Sequence, residues 1–385
     1  MVEPNALASL YIHIPFCKKK CPYCHFFVLK HAKDKEAEFV AALKKEWGLR
    51  KEHFKGKTLT SIYFGGGTPT QLSSRALNQI LLAIKQSAHV SPDCEITLEA
   101  NPEDLIQHSA NLKAYRASGF NRLSIGVQSF DNELLKALGR EHSALDTQRA
   151  LTLANGAGFE NISIDLMYET PHQTLESWEK TLQTASKQPI THISLYNLTF
   201  EPGAKFFRIQ DQLTPHLPTE DAATRMFLLC DEVLSNASLK RYEISAFAKE
   251  GYQSRHNLGY WQGRPFIGLG PSAFSYWERQ RFQNVTNFPK YLDDVNRSKL
   301  PTDFIDTISP SAHQKEMLAV GLRPLEGVER AKFEAHYGPF DTETLKALKR
   351  LEEDQLITIN SEQKISLTPR GRLFHDSVAM QLIEA

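Results

Sequence analysis

Between Leu10 and Leu198 short β-branched and aromatic runs alternate with amphipathic stretches, and this alternation limits the fold more than any other feature of the chain. The strand-like runs are Leu10–Ile14, Ser61–Phe64, Glu95–Glu99, Arg122–Val127, Ile162–Met167 and His192–Leu198. Lys35–Lys51, Arg75–Gln86 and Leu145–Gly156, lying between them, have helical periodicity. Strand, helix, strand in repetition means parallel neighbours joined by crossover helices, so the fold class is α/β. Six such units are too few for a complete eight-stranded barrel and match a partial (β/α)6 barrel. In barrel proteins the working residues come from the C-terminal strand ends and the loops that follow them.

The loop after the first run contains Cys17, Cys21 and Cys24 in the order C-x3-C-x2-C. Three thiolates at this spacing can wrap one face of a [4Fe-4S] cluster and leave the fourth iron open to a small molecule. Two other metal readings compete. Cys17, Cys21, Cys24 and His25 would satisfy the four-ligand preference of zinc, although the side chains of neighbouring Cys24 and His25 tend to diverge. Cys21-Pro22-Tyr23-Cys24-His25 also spells the C-x-x-C-H attachment pattern of c-type haem, which leaves Cys17 unexplained. An odd total of five cysteines, three of them in one loop, fits a reducing compartment and a metal site better than a disulfide framework. Cys94 precedes the third run, at the far end of the barrel, and Cys230 sits in an apolar helical run where cysteine acts as a small hydrophobe.

The second run ends in Gly65-Gly66-Gly67-Thr68-Pro69-Thr70, whose backbone can approach a ligand closely and clasp an ammonium or carboxylate. A plain strand-to-helix turn is the alternative. Glu99, Gln128, Arg140 and Asp165 fall at equivalent points of later units. A carboxylate can take two hydrogen bonds from a ribose diol and Arg can grip a carboxylate with two, whereas strand-end ion pairs would use the same residue types. Forty-five basic residues balance forty-five acidic ones, so no electrostatic footprint for nucleic acid is present. Met1–Leu10 lacks a charged-then-apolar signal pattern and no apolar run is long enough to span a bilayer, so a cytoplasmic location is expected.

The cysteine spacing resembles the signature of the radical S-adenosylmethionine superfamily, in which the partial barrel is usual. Tyr11 through Cys24, Gly65–Thr70, Leu98–Pro102, Arg122–Phe130 and Ile164–Leu166 together resemble the oxygen-independent coproporphyrinogen III oxidase family. By that resemblance Cys17, Cys21 and Cys24 hold the cluster, and Tyr11, Tyr23, Gly66, Gly67, Thr68, Glu99, Gln128, Arg140 and Asp165 bind S-adenosylmethionine. One departure is Glu169-Thr170, where the family usually has Gly-Leu; another is His25, where it usually has Asp.

The family has an enzymatic branch and a HemW-type haem-chaperone branch. The oxidases carry a further cysteine two residues after the third, and an N-terminal extension that closes over substrate. Here the corresponding position is Phe26 and a short stretch precedes Tyr11. The chaperone branch carries a His-Asn-x-x-Tyr-Trp segment, which this chain has as His256-Asn257-Leu258-Gly259-Tyr260-Trp261. A His beside flat aromatic rings could ligate a haem iron, so His256, Asn257, Tyr260 and Trp261 are the expected haem contact; a packed loop with a hydrogen-bonded His is the alternative. Past Pro310 the sequence turns to helices and a hairpin, with a helix at Thr342–Glu353, strands at Leu356–Ile359 and Lys364–Leu367, and a last helix opened by Pro369. This resembles the family's winged-helix-like C-terminal domain and divides the chain at residues 1–305 and 306–385. Lys346, Lys349 and Arg350 are interspersed with Glu343, Glu352, Glu353 and Asp354, so the helix has no basic stripe for DNA.

The resulting expectation is a haem chaperone carrying a [4Fe-4S] cluster and S-adenosylmethionine. Its partners would be haem and acceptor apo-haemoproteins, with peripheral membrane association through those acceptors and no nucleic acid. An anaerobic coproporphyrinogen III oxidase is the second reading and a zinc-stabilised binding protein the third.

Overall fold

The structure, a computed structural model, describes residues 6–30 and 33–385. Six parallel strands follow the expected order: β1 (Leu7–Ile14), β2 (Thr58–Gly66), β3 (His89–Ala100), β4 (Arg122–Gln128), β5 (Asn161–Tyr168) and β6 (His192–Asn197). Helices α1 (Glu36–Arg50), α2 (Ser74–Lys85), α3 (Asn111–Ser118), α4 (Ala144–Gly156) and α5 (Leu175–Ser186) form the main crossovers. This is the expected partial (β/α)6 barrel. Cys94 lies within β3, whose polar first turn of sequence, His-Val-Ser-Pro-Asp, hides its true start.

Each barrel strand has two unlike faces. Leu10, Ile12 and Ile14 on β1, Ile62 and Phe64 on β2, and Leu123 and Ile125 on β4 are fully buried against the helices. Burying such a side chain contributes about 2 kcal/mol, and these rows supply the main core. The alternate residues face inward and are mostly polar. Ser9, Tyr11 and His13 stand in register with Ser61, Tyr63 and Gly65. Ser61 and Tyr63 in turn pair with Glu95 and Thr97, and Ser124 and Gly126 with Ser163 and Asp165. The barrel interior is therefore a stack of polar layers.

The sheet extends beyond the six units through strands that the sequence did not signal, most of them short. Lys240–Glu243 (β7) and Ala246–Ala248 (β8) add antiparallel beyond β6. Phe266–Leu269 (β9) pairs parallel to β1, and Phe274–Trp277 (β10), Gln280–Asn284 (β11) and Thr302–Thr307 (β12) follow as an antiparallel meander. The full order is β12-β11-β10-β9-β1-β2-β3-β4-β5-β6-β8-β7.

Beyond the sheet, Leu318, Leu348, Leu351, Ile365, Val378 and Leu382 form a second core around a three-stranded sheet in the order Val328–Glu329, Lys364–Leu367, Ile357–Ile359. The helix expected at Thr342–Glu353 has those bounds, and its Lys346 and Lys349 pair with Glu343 and Glu353. Glu169, where the resemblance implied Gly, has a φ of +58°. This is the left-handed region that glycine occupies without strain, so the departure retains the turn at a cost of about 1–2 kcal/mol. Among the described residues no helix is long and apolar enough to cross a membrane.

The N-terminal end of the barrel is closed by a short helix, α6 (Arg255–Trp261), held by one carboxylate. The buried Glu95 side chain accepts the backbone N–H groups of Arg255 (3.1 Å) and His256 (3.0 Å) and lies 4.0 Å from the Arg122 guanidinium. Removing it strands two helix-terminal donors and a buried cation together. Glu95→Ala should lower the unfolding free energy by about 3 kcal/mol in chemical denaturation, whereas Asp93→Ala, which breaks exposed contacts with Arg255 and Ser91, should change it by less than about 1 kcal/mol. Equal effects of the two substitutions would refute this role for Glu95.

Candidate functional site

The cysteine loop is strapped to the C-terminal rim by backbone hydrogen bonds. Gly67 N–H donates to Ile14 C=O (2.8 Å), Thr68 N–H to Phe16 C=O (2.8 Å) and Leu29 N–H to Pro15 C=O (2.6 Å). A Cβ at Gly67 would sit 2.7 Å from Phe16 O and 2.9 Å from Ile14 O, so the glycine is required by the closeness of the strap. His13 pins the loop from below: its Nε2–H donates to Phe27 C=O (2.9 Å) and its Nδ1 accepts from the Tyr11 hydroxyl (3.1 Å). Burial lowers the His13 pKa to about 4, which keeps the ring neutral for both roles.

Cys17, Cys21 and Cys24, all half-buried, line one cavity of about 420 Å³. The same cavity is lined by Tyr23, Gly66, Gly67, Thr68, Glu99, Gln128, Arg140 and Asp165. The residues expected to hold the cluster or bind S-adenosylmethionine, Tyr11 excepted, therefore meet at one place. Tyr11 does not reach it: its hydroxyl is taken by His13 and its ring lies 6.2 Å from that of Tyr63, one layer deeper. Residues to which the sequence assigned no binding role also line it, among them Asn101 and Ser124, which lie within the quoted motifs, and Tyr196. Strand parity was the available signal, since Ser124 pairs with Ser163 on the face that carries Asp165.

The loop is tied to the rim by its thiols. Cys17 Sγ lies 3.5 Å from Thr68 Oγ1, and Arg140 Nη1 donates to Cys21 Sγ at 3.4 Å. Arg140 Nη2 donates to Asn101 Oδ1 (2.6 Å) and Gly126 C=O (2.8 Å), while its buried Nε has no partner. Gln128 ends β4 at a register shift with a φ of +68°, a bulge that re-aims its side chain into the cavity. Burial raises Glu99 to about 7 despite hydrogen bonds from Tyr63 OH (2.7 Å) and Gly66 N–H (3.1 Å), and it raises Asp165 to about 6. A rim with an unpartnered guanidinium nitrogen and two destabilised carboxylates is suited to a polar ligand that offers both acceptors and donors.

The donor set also fits iron. Burial pushes the Cys17 thiol up to about 11 and raises Cys24, so metal must displace protons to form the thiolates. Among the described residues no three His, Cys, Asp or Glu side chains converge closely enough to share one ion, so a tight four-ligand zinc arrangement with His25 is not formed. The thiols instead border a cavity that a multi-iron cluster could occupy. Cys94 and Cys230 are buried elsewhere, with Cys230 Sγ donating to Met226 C=O at 3.2 Å.

The expected haem segment lies at the opposite end. His256 is 2% exposed, with Nδ1 2.9 Å from Ser61 Oγ and Nε2 2.8 Å from Tyr260 OH. Both ring nitrogens are engaged, so in this geometry neither is free for a haem iron. Trp261 packs under the Arg323 guanidinium at 4.3 Å, and Asn257 N–H completes the helix cap on Ser254. His25 stands at the cavity mouth, exposed, its ring 4.6 Å from that of Phe26.

Residues 11–185 match the radical SAM superfamily and residues 308–374 the HemN C-terminal domain. The chain is 35% identical to the haem chaperone HemW of Bacillus subtilis over 377 residues, covering 97% of this chain and 98% of that protein. It is 39% identical to HemW of Escherichia coli over 69% of each chain. It is 30% identical to the mitochondrial radical S-adenosyl methionine domain-containing protein 1 of Danio rerio, over 85% of this chain and 75% of that one. The solved coproporphyrinogen III oxidase (HemN) of Escherichia coli superposes with a TM-score of 0.85 at 24% identity, over 98% of this chain and 90% of that one, which establishes a shared fold.

Two predictions follow from this geometry. Replacing Cys17, Cys21 or Cys24 by Ala should abolish the brown cluster chromophore of anaerobically prepared protein and its bound iron, while Cys94→Ala and Cys230→Ala retain both; full iron in the Cys21→Ala protein would contradict the assignment. The second concerns pH. Glu99 and Asp165 are raised above their ordinary values of 4.5 and 3.8, so their contribution to stability is complete below those values and is lost as pH rises through about 6 to 7. Glu99→Gln should flatten the ligand-free stability profile between pH 4.5 and 7; an unchanged slope in thermal melts would show that Glu99 is not the group responsible.

Proposed function

Because the chain belongs to the HemW family of the radical SAM superfamily, we propose that it is a haem chaperone that carries a [4Fe-4S] cluster and S-adenosylmethionine and hands haem to acceptor apo-haemoproteins. The observation that carries this reading is the convergence of three cysteines and the polar rim on one cavity. In it Cys17, Cys21 and Cys24 ligate the cluster, which supplies an iron site open to the nucleotide. Glu99 and Asp165 accept hydrogen bonds from the ribose or ammonium, Gly66 and Gly67 offer backbone groups without side-chain obstruction, and Arg140 holds the loop against the rim. Burial alone would lower the Arg140 pKa, but Tyr23, Cys21 and Glu103 beside it keep it firmly charged.

Phe26 supports carrier over oxidase: it occupies the position of the oxidase's further cysteine and is 52% exposed beside the cavity mouth. With both nitrogens of His256 engaged, haem is better served at that mouth, where His25 is an exposed imidazole, Phe26 an apolar ring, and Lys19 and Lys20 are cations suited to propionates.

The test is an anaerobic assay with cluster, nucleotide and reductant intact. No conversion of coproporphyrinogen III is expected, while haem should bind and transfer to an apo-haemoprotein. His25→Ala should alter the haem absorption spectrum. Turnover to protoporphyrinogen IX would establish the oxidase instead, and an unaltered spectrum in His25→Ala would remove that ligand.

A further inference from the structure

His256 belongs to the helix that closes the barrel floor and also touches Tyr63, which supports the nucleotide rim. Its ring is fully committed. Ser61 Oγ–H donates to Ser9 Oγ (2.9 Å), so Ser61 accepts from His256 Nδ1–H, and His256 Nε2 accepts the Tyr260 hydroxyl proton. This network assigns a neutral Nδ1–H tautomer, and burial, which lowers the pKa to about 3, keeps it so.

One face of the imidazole lies on Tyr63, with ring centroids 4.9 Å apart and an interplanar angle of 30°. Tyr63 has Tyr11 as its neighbour across the β1–β2 register, its ring 6.2 Å away, so its plane is confined from two directions. Its hydroxyl then donates to Glu99 Oε1 at 2.7 Å. Little slack exists at that contact: a Cβ on Gly65 would be 2.8 Å from Tyr63 Cε1 and 2.9 Å from Glu99 Oε1. The ring and the carboxylate fill the space that a methyl group would need, and a displaced ring displaces the carboxylate with it.

We propose that His256 is a positioning residue of the nucleotide site, acting through the Tyr63 ring to fix the Glu99 carboxylate on the rim. His256 then serves S-adenosylmethionine affinity from beneath the site, with neither ring nitrogen free for a haem iron. The inference rests on the reading that Glu99 contacts the nucleotide.

The experiment is calorimetric titration of S-adenosylmethionine into the anaerobically reconstituted full chain, with haem spectra recorded on the same preparations. Tyr63→Phe should weaken nucleotide binding roughly tenfold and His256→Ala roughly fivefold, as expected for loss of one hydrogen bond to a charged group and of its support. The double variant should bind no more weakly than Tyr63→Phe alone, because both substitutions break one chain of contacts. His256→Ala should leave the haem spectrum unchanged. His256→Gln, which retains a donor for Ser61 but removes the aromatic face, should show the same loss if His256→Ala fails to fold.

Affinity within twofold of the parent in both His256 variants, full additivity with Tyr63→Phe, or an altered haem spectrum would overturn the proposal. Glu99→Gln separates the two levels. If it leaves affinity unchanged, the nucleotide reading fails and the inference with it; if it weakens binding while the His256 variants do not, the inference alone fails.

Discussion

A polar barrel interior must satisfy its hydrogen bonds either within the chain or with a ligand, and this constraint organises the whole molecule. Glu95 and Glu99 lie on the same face of one strand and show the two solutions. Glu95, at the floor, is met by two backbone N–H groups of α6 and by Arg122. Glu99, at the rim, has two donors of its own and is still raised to about 7 by burial. The floor is closed by the protein; the rim is completed by what binds there.

The cysteine loop depends on the same arrangement. Its backbone is bonded to the end of β1 and to the glycine turn, and its thiols touch Thr68 and Arg140, so loop and rim form one unit. The roof is supplied by a later segment: Phe206 N–H donates to Pro22 C=O (2.9 Å), and the Phe206 ring faces Tyr23 at 6.4 Å. A cluster held here by Cys17, Cys21 and Cys24 would supply an iron site for the nucleotide in the cavity that Glu99, Asp165 and the glycines also line. That geometry serves a nucleotide bound at the iron whether or not it is ever cleaved.

The strand order was legible because short β-branched and aromatic runs alternate with amphipathic helical stretches, and Arg122–Gln128 and Thr342–Glu353 lie close to where their sequences put them. The cysteine spacing, the glycine run and the strand-end charges identified most of the cavity. Tyr63 did not stand out, since an aromatic in a strand ordinarily signals packing, and its hydrogen bond to Glu99 depends on register across two strands. His256 shows the converse. A His among aromatics has the composition of a haem contact, and only the fold shows that Ser61 and Tyr260, distant and near in sequence, consume both of its nitrogens. The strands β7 to β11, of three to five residues, were too short to leave a period, and β12 has Thr302, Asp303, Asp306 and Thr307 in place of an apolar run.

The central claim is that three thiols hold a cluster whose remaining iron faces the nucleotide rim. Mössbauer spectroscopy of the iron-57-reconstituted protein, with and without S-adenosylmethionine, tests it most directly. The account predicts a [4Fe-4S] spectrum in which one iron subsite alone changes when the nucleotide is added. A spectrum that does not respond to the nucleotide, or a protein that retains zinc and no iron after anaerobic reconstitution, would contradict it.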